Sequence, residues 1–175
     1  FGLSYTTFSM KMMDFLEMAD AVTVTVSVRN TGDCAGKEVV QLYCEAPQGM
    51  LGKPARTLCA FAKTKLLAAG EEQLLTLTVR KDELASYDDS GVTGHPFCEV
   101  LEAGTYRFFL GGDVRSAGEI GTFTLMETQV TAQRTQALAP VVPFQRMKNC
   151  GGKLTWEDVP LRKYDLQQRV QAHLP

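Results

Sequence analysis

The chain has 175 residues, with 18 basic against 20 acidic side chains and a net charge of -2. Hydrophobic residues make up 45% and charged residues 22%, which is too apolar for a disordered tail, and the balanced charge excludes general affinity for nucleic acid. No apolar run approaches the ~18 residues that a membrane helix needs, so neither nucleic acid nor a membrane is expected as a partner.

Val22-Thr23-Val24-Thr25-Val26-Ser27-Val28-Arg29 alternates apolar and polar residues, the period-two signature of a strand with one wet and one buried face. Val22, Val24, Val26 and Val28 are therefore expected in the core, and Asn30-Thr31-Gly32-Asp33 ends the strand with turn residues. Glu38 to Cys44 predicts a second strand with Val40, Leu42 and Cys44 inward. Pro47 to Pro54 holds two prolines and two glycines and predicts a surface loop. Arg56 to Leu67 has a strand pattern, and Leu75, Leu77 and Val79 alternate inward in another. Lys81 to Ala85 predicts one helical turn, and Tyr87 to Gly91 and Gly94 to Pro96 predict turns. Phe97 to Leu101, Thr105 to Leu110 and Thr122 to Met126 predict three more strands, with Tyr106, Phe108 and Leu110 on one face. Short strands separated by turns at these intervals predict an antiparallel all-β sandwich, with a small barrel as the alternative.

After about Gln129 the pattern changes. The stretch 129–175 predicts an extended linker and then a short helix from Asp165, with Leu166, Val170 and Leu174 forming one apolar stripe. A ten-residue helix is marginal alone in water and needs a surface to pack on.

Residues able to carry chemistry are few. His95 precedes a proline in a turn, and His173 falls in the last turn of the predicted helix, where it favours the negative helix end. Glycoside hydrolysis needs two carboxyl groups at a fixed separation. The candidate pairs are Asp88 with Asp89, Glu99 with Glu102, and Glu157 with Asp158, and adjacent carboxylates on turns are expected to be solvated. Phosphate-loop motifs are absent, Gly111-Gly112-Asp113 reads as a strand turn, and Asp82, Asp88, Asp89 and Asp113 lack calcium-loop spacing. No cofactor or metal is expected. The five cysteines, Cys34, Cys44, Cys59, Cys98 and Cys150, contain no Cys-x-x-Cys pair and read as free thiols, which points to a reducing, cytoplasmic setting. Trp156 is the single tryptophan, which argues against an aromatic sugar-binding platform.

Phe1-Gly2-Leu3-Ser4-Tyr5-Thr6-Thr7-Phe8 resembles the start of the fibronectin type III-like domain of glycoside hydrolase family 3, the β-glucosidase family. Similar pieces follow in the same order: Val22 to Asp33, Ala35 to Tyr43, Lys53 to Leu58, Phe61 to Thr64, Leu66 to Glu71, Leu84 to Asp88 and Glu102 to Tyr106. The resemblance implies an immunoglobulin/fibronectin type III-like sandwich over residues 1–128, followed by a linker and helix over 129–175. It also implies an accessory role beside catalytic domains that hydrolyse terminal β-linked glucosides. In that family the nucleophile and the acid/base lie on other domains, so the resemblance assigns no catalytic residue here, and the chain alone is expected to be inactive. Leu154 to Leu161 resembles the connector of members with reversed domain order, which places catalytic domains on both sides. The alternative is an independent carbohydrate-binding or adhesion module on the same fold.

Met50 and Leu51 at the loop tip, Trp156 in the tail, and Leu166, Val170 and Leu174 on the helix stripe are the candidate interdomain contacts. The loop is expected to be mobile and to face a flanking catalytic domain. The helix is expected to fold back on the sandwich or to bind a second copy of the chain.

Overall fold

The computed structural model describes residues 4–136 and 139–162. Twelve strands lie among them: β1 (Phe8–Glu17), β2 (Ala21–Asn30), β3 (Val39–Glu45), β4 (Thr57–Lys63), β5 (Glu72–Arg80), β6 (Ser86–Asp88), β7 (Cys98–Leu101), β8 (Gly104–Gly111), β9 (Gly118–Leu125), β10 (Gln129–Gln133), β11 (Gln145–Cys150) and β12 (Lys153–Asp158). A single 3-10 turn, Lys81–Leu84, follows β5 where the sequence predicts a helical turn.

Two sheets form the sandwich, one in the order β1-β2-β5 and the other in the order β4-β3-β8-β9, with antiparallel pairing throughout. The all-β sandwich expected from the sequence is thus the observed fold. Period-two alternation places the four valines of β2 at 0% exposure, with Leu77 and Val79 of β5 buried beside them and Leu75 partly buried. The facing sheet contributes Val40, Leu42 and Cys44 from β3 and Tyr106, Phe108 and Leu110 from β8. Tyr106 stacks on Phe123 at 4.6 Å between ring centroids, and Phe15 meets Phe108 edge-on at 5.7 Å.

Two buried polar side chains close the ends of this core. Asn30, at the end of β2, accepts hydrogen bonds from the Thr6 hydroxyl (2.6 Å) and Gly32 N–H (3.1 Å), and donates to the carbonyls of Cys34 (2.8 Å) and Leu67 (3.0 Å). All of its amide capacity is used, which offsets the cost of burying it. A Cβ at Gly32 would stand 2.3 Å from Thr6 Oγ1, so the turn needs glycine there. At the opposite end the Tyr106 hydroxyl donates to the Glu102 carbonyl (3.1 Å), the tyrosine-corner bond of fibronectin-like sandwiches.

A third, smaller sheet in the order β10-β7-β6 and the separate β11-β12 hairpin add to the sandwich. Both change the reading of the segment after Gln129. Where the sequence suggests an extended linker, residues 129–133 pair with β7, and residues 145–158 form a hairpin in continuous register from Gln145↔Asp158 to Cys150↔Lys153. The turn is Gly151-Gly152, with φ of 58° and 83°, the left-handed pair that a tight two-residue hairpin requires. The predicted helix with Leu166, Val170, His173 and Leu174 lies outside the described residues.

Candidate interdomain surface

The loop between β3 and β4 is anchored from beneath. Glu102 follows β7 and Lys53 lies in the loop; both are buried, and they form an ion pair. The other carboxylate oxygen of Glu102 accepts the Met50 N–H at 2.6 Å, and Lys53 Nζ also donates to the Pro47 carbonyl at 2.8 Å. Gly49, at φ 45°, passes so close that an added Cβ would stand 2.3 Å from Glu102 Oε1. The loop is therefore tied to the sandwich, in contrast to the mobile loop expected from its glycines and prolines. Met50 remains 53% exposed, whereas Leu51 turns into a crevice of about 250 Å³ between the loop and the hairpin.

The β11-β12 hairpin sits on the sandwich through polar contacts. Residues directly opposite in its register share a face. Arg146, Lys148 and Glu157 share the face turned to the sandwich: Arg146 donates to Glu157 (2.7 Å) and, with two guanidinium nitrogens, to Asp89 (3.0 Å for Nη2), and Lys148 pairs with Glu157 at 2.8 Å. The hydrogen bond that Arg146 donates to the Asp89 carboxylate leads the causes that hold the Arg146 pKa above its ordinary value, against the opposing effect of partial burial. The Glu157 carboxyl is lowered, first by Lys148 and then by Arg146, against the effect of burial. At the hairpin tip Asn149 donates to Gln48 Oε1 (3.0 Å) and to the Lys53 carbonyl (3.2 Å), while Gly52, at φ 65°, leaves room for the Lys148 stem. The loop and the hairpin are thus one unit.

Asp88, next to Asp89, is fully buried rather than solvated. Burial alone would raise its pKa. The Thr93 hydroxyl (2.6 Å) and the N–H groups of Thr93 (2.8 Å) and Gly91 (2.7 Å), with further donors at Ser90 and Val92, outweigh that effect and lower it. The carboxylate shapes the 89–97 turn that presents Asp89 to Arg146. The same turn ends in Phe97, which has φ 61°; its N–H donates to the Asp88 carbonyl and its carbonyl accepts from Arg134 N, both at 2.7 Å. Beside it lies an apolar groove of about 450 Å³ lined by Tyr87, Phe97, Ala139, Pro140 and Pro160.

The opposite face of the hairpin carries three exposed apolar side chains beside Gln145, Asp158 and Asn149. Met147 faces Trp156 across the ladder and Leu154 is paired with Asn149 on the same face; their exposures are 61%, 62% and 68%. Phe144, just before β11, is also exposed.

None of the carboxylate pairs weighed in the sequence forms an acid/base couple. Glu102 is committed to Lys53, and Glu99 to Arg134 at 2.9 Å. Glu157 turns to Arg146 and Lys148, while Asp158 accepts from Gln145 on the other hairpin face. No group of three or more His, Cys, Asp or Glu side chains able to hold a metal ion occurs among the described residues. Of the candidate contacts, Met50 and Trp156 are exposed on the loop and the hairpin, and the half-buried Leu51 lines the crevice between them. Leu166, Val170 and Leu174 lie outside the described residues. The sequence reading did not single out Arg146 or Met147, weighed Asp89 only as a partner of Asp88, and named Lys53 and Leu154 only within the stretches that carry the resemblance. A partial signal was present: Leu154 and Trp156 alternate with polar residues directly after the Gly151-Gly152 turn pair.

Residues 38–114 match the fibronectin type III-like domain family. The chain is 52% identical over 175 residues to a β-glucosidase of Ruminococcus albus, covering all of this chain and 18% of that protein. It is 40% identical to β-glucosidase A of Butyrivibrio fibrisolvens over 91% of this chain and 21% of that protein. Among solved structures, a β-glucosidase from Paenibacillus barengoltzii superposes with a TM-score of 0.92 at 45% identity, over 100% of this chain and 20% of the other. β-Glucosidase 3B from Thermotoga neapolitana, in complex with α-D-glucose, gives a TM-score of 0.65 at 37% identity over 74% of this chain. The chain therefore spans about a fifth of the length of the relatives it matches throughout. It carries a fibronectin type III-like domain of the kind found in glycoside hydrolase family 3 β-glucosidases, and is homologous over its whole length to one segment of such enzymes.

Proposed function

We propose that this chain is a non-catalytic accessory domain that braces the catalytic domains of a β-glucosidase-like enzyme acting on terminal β-linked glucosides. The observation that carries this reading is the match of 91–100% of the chain to about one fifth of each of three β-glucosidases. The side chains support it: the carboxylates weighed as catalytic pairs are engaged by Lys53, Arg134, Arg146 and backbone donors. The partners are then the flanking catalytic domains of the parent polypeptide, in the reversed order that the connector sequence resembles. The five free thiols fit a parent that works in a reducing compartment such as the cytoplasm.

The test is hydrolysis of an aryl β-glucoside by three proteins: the parent enzyme, the parent lacking this segment, and the 175-residue chain. The expected result is activity in the first, loss of activity or of thermal stability in the second, and no turnover by the third. Turnover by the isolated chain, or a deletion without effect on activity and stability, overturns the reading.

A further inference from the structure

The β11-β12 hairpin has two chemically different faces, and although Asn149 on the second reaches the 47–54 loop at the tip, the apolar side chains of that face are left exposed. Its inner face is an ion-pair network that reaches the sandwich at Asp89. Its outer face presents Met147, Leu154 and Trp156, each more than 60% exposed, with Phe144 beside them. A hairpin seated mainly by its ion-paired side, with water on the other, should carry polar residues outward. This one instead carries Met147, Leu154 and Trp156 there, beside Gln145 and Asp158. An isolated two-stranded ribbon is also marginally stable in water and needs a layer against its apolar face.

We infer that this outer face is the docking surface for an adjoining domain of the same parent polypeptide, with Trp156 as its central anchor. The inference rests on the accessory-domain reading above and names the surface that performs it. The choice of occupant follows from length. The β-glucosidase of Paenibacillus barengoltzii shares the whole chain at a TM-score of 0.92, yet the match covers only 20% of that protein, so four fifths of such a polypeptide lies outside this fold. A neighbour on the same chain is held at high effective concentration, so a weak intrinsic affinity is enough to keep it seated. Contacts between domains of one chain are of modest size, and tryptophan and methionine are enriched at the buried centre of protein contacts. The hairpin thus works as an adaptor, with its ion pairs set into the sandwich and its apolar residues set into the next domain.

Hydroxyl-radical footprinting read by mass spectrometry tests this, because methionine and tryptophan are readily oxidised and peptides report each site separately. It is applied to the parent enzyme and to the 175-residue chain. Oxidation of Met147 and Trp156 should fall by roughly tenfold in the parent, as expected for side chains passing from solvent to the core of an interface. Equal oxidation in the two proteins overturns the inference. Protection that appears in the 175-residue chain as its concentration rises also overturns it, and assigns the face to a second copy. In the parent, the double variant Met147→Ser/Trp156→Ser should split a single thermal transition into two, while Leu74→Ser, on another exposed surface, should not. If footprinting shows no protection but deletion of the whole segment still abolishes activity, the accessory role stands and this surface assignment alone falls.

Discussion

Lys53 and Glu102, 49 residues apart in sequence, meet as an ion pair beneath the loop that joins β3 to β4, with both side chains about 6% exposed. Glu102 also lies at the tyrosine corner, because its carbonyl accepts the Tyr106 hydroxyl. One residue therefore ties the start of β8, the 47–54 loop and, through the Lys53 carbonyl, the tip of the hairpin. A buried pair of this kind adds little over a well-packed apolar replacement, but removing one partner leaves an uncompensated buried charge. Lys53→Met should destabilise the chain by roughly 3 kcal/mol, and the double variant Lys53→Met/Glu102→Gln should recover part of that loss. Chemical denaturation of the four proteins of this cycle gives the coupling. Additive losses would show that the pair is not energetically linked.

Asp88 should confer acid sensitivity. Its carboxyl pKa is lowered in the folded chain, whereas an unfolded aspartate titrates near ~3.9. Between the folded and unfolded values the unfolded state binds more protons, so stability is fully present above the unfolded pKa and is lost as pH falls through the folded one. Asp88→Asn should cost about 1–3 kcal/mol at neutral pH, since an amide nitrogen then faces backbone and hydroxyl donors. It should also flatten the decline in stability below about pH 4. Urea midpoints measured for both proteins from neutral to acid pH check both parts. An unchanged acid slope in the variant would remove Asp88 from this role.

The sandwich was legible because its strands carry period-two patterns long enough to stand out. Val22 to Val28 and Leu75 to Val79 needed no more than alternation. β1 was harder to see: Phe8 to Glu17 mixes three methionines with charges and is bulged between Met12 and Asp14, which shifts its alternation by one residue. The exposure of Trp156 and Met50 was legible, because both are apolar residues in stretches that otherwise read as loop or linker. Lys53 and Glu102 were opaque, because a buried lysine and a solvated one look alike until a partner far along the chain is brought to it. Asp88 was misread for a related reason. A turn rich in Ser, Gly and Thr suggests solvent, yet those residues supply the donors that let a carboxylate be buried.

The cysteines should separate into two kinetic classes. Burial, as the leading cause, pushes the Cys44 and Cys59 thiols up to about 12, and Cys59 donates to the Leu42 carbonyl at 3.2 Å. The thiolate is the reactive form, so both should be inert at neutral pH. Cys98 is buried and donates to Gln133 at 3.0 Å, whereas Cys34 and Cys150 are exposed. A thiol reagent at pH 7.5 should modify Cys34 and Cys150 quickly, and the other three only after denaturant is added. Rapid modification of Cys44 in the folded chain would contradict its place in the core.

Arg146 should govern how firmly the hairpin sits without governing whether the sandwich folds. Its guanidinium spans Asp89 on the sandwich and Glu157 on the neighbouring strand, but its side chain is 40% exposed, and pairs at that exposure contribute only about 0.2–1 kcal/mol each. The core of β2, β3, β5 and β8 lies elsewhere. Arg146→Ala should therefore leave the global unfolding midpoint nearly unchanged. It should accelerate amide hydrogen exchange across residues 145–158, because the hairpin opens as a local unit when its few anchors are reduced. Asn149→Ala should act in the same direction by freeing Gln48 and the Lys53 carbonyl, and the double variant should expose the hairpin amides further. Exchange in β2 is the internal control and should not move. Faster exchange in β2 as well would mean that the hairpin and the sandwich unfold as a single unit.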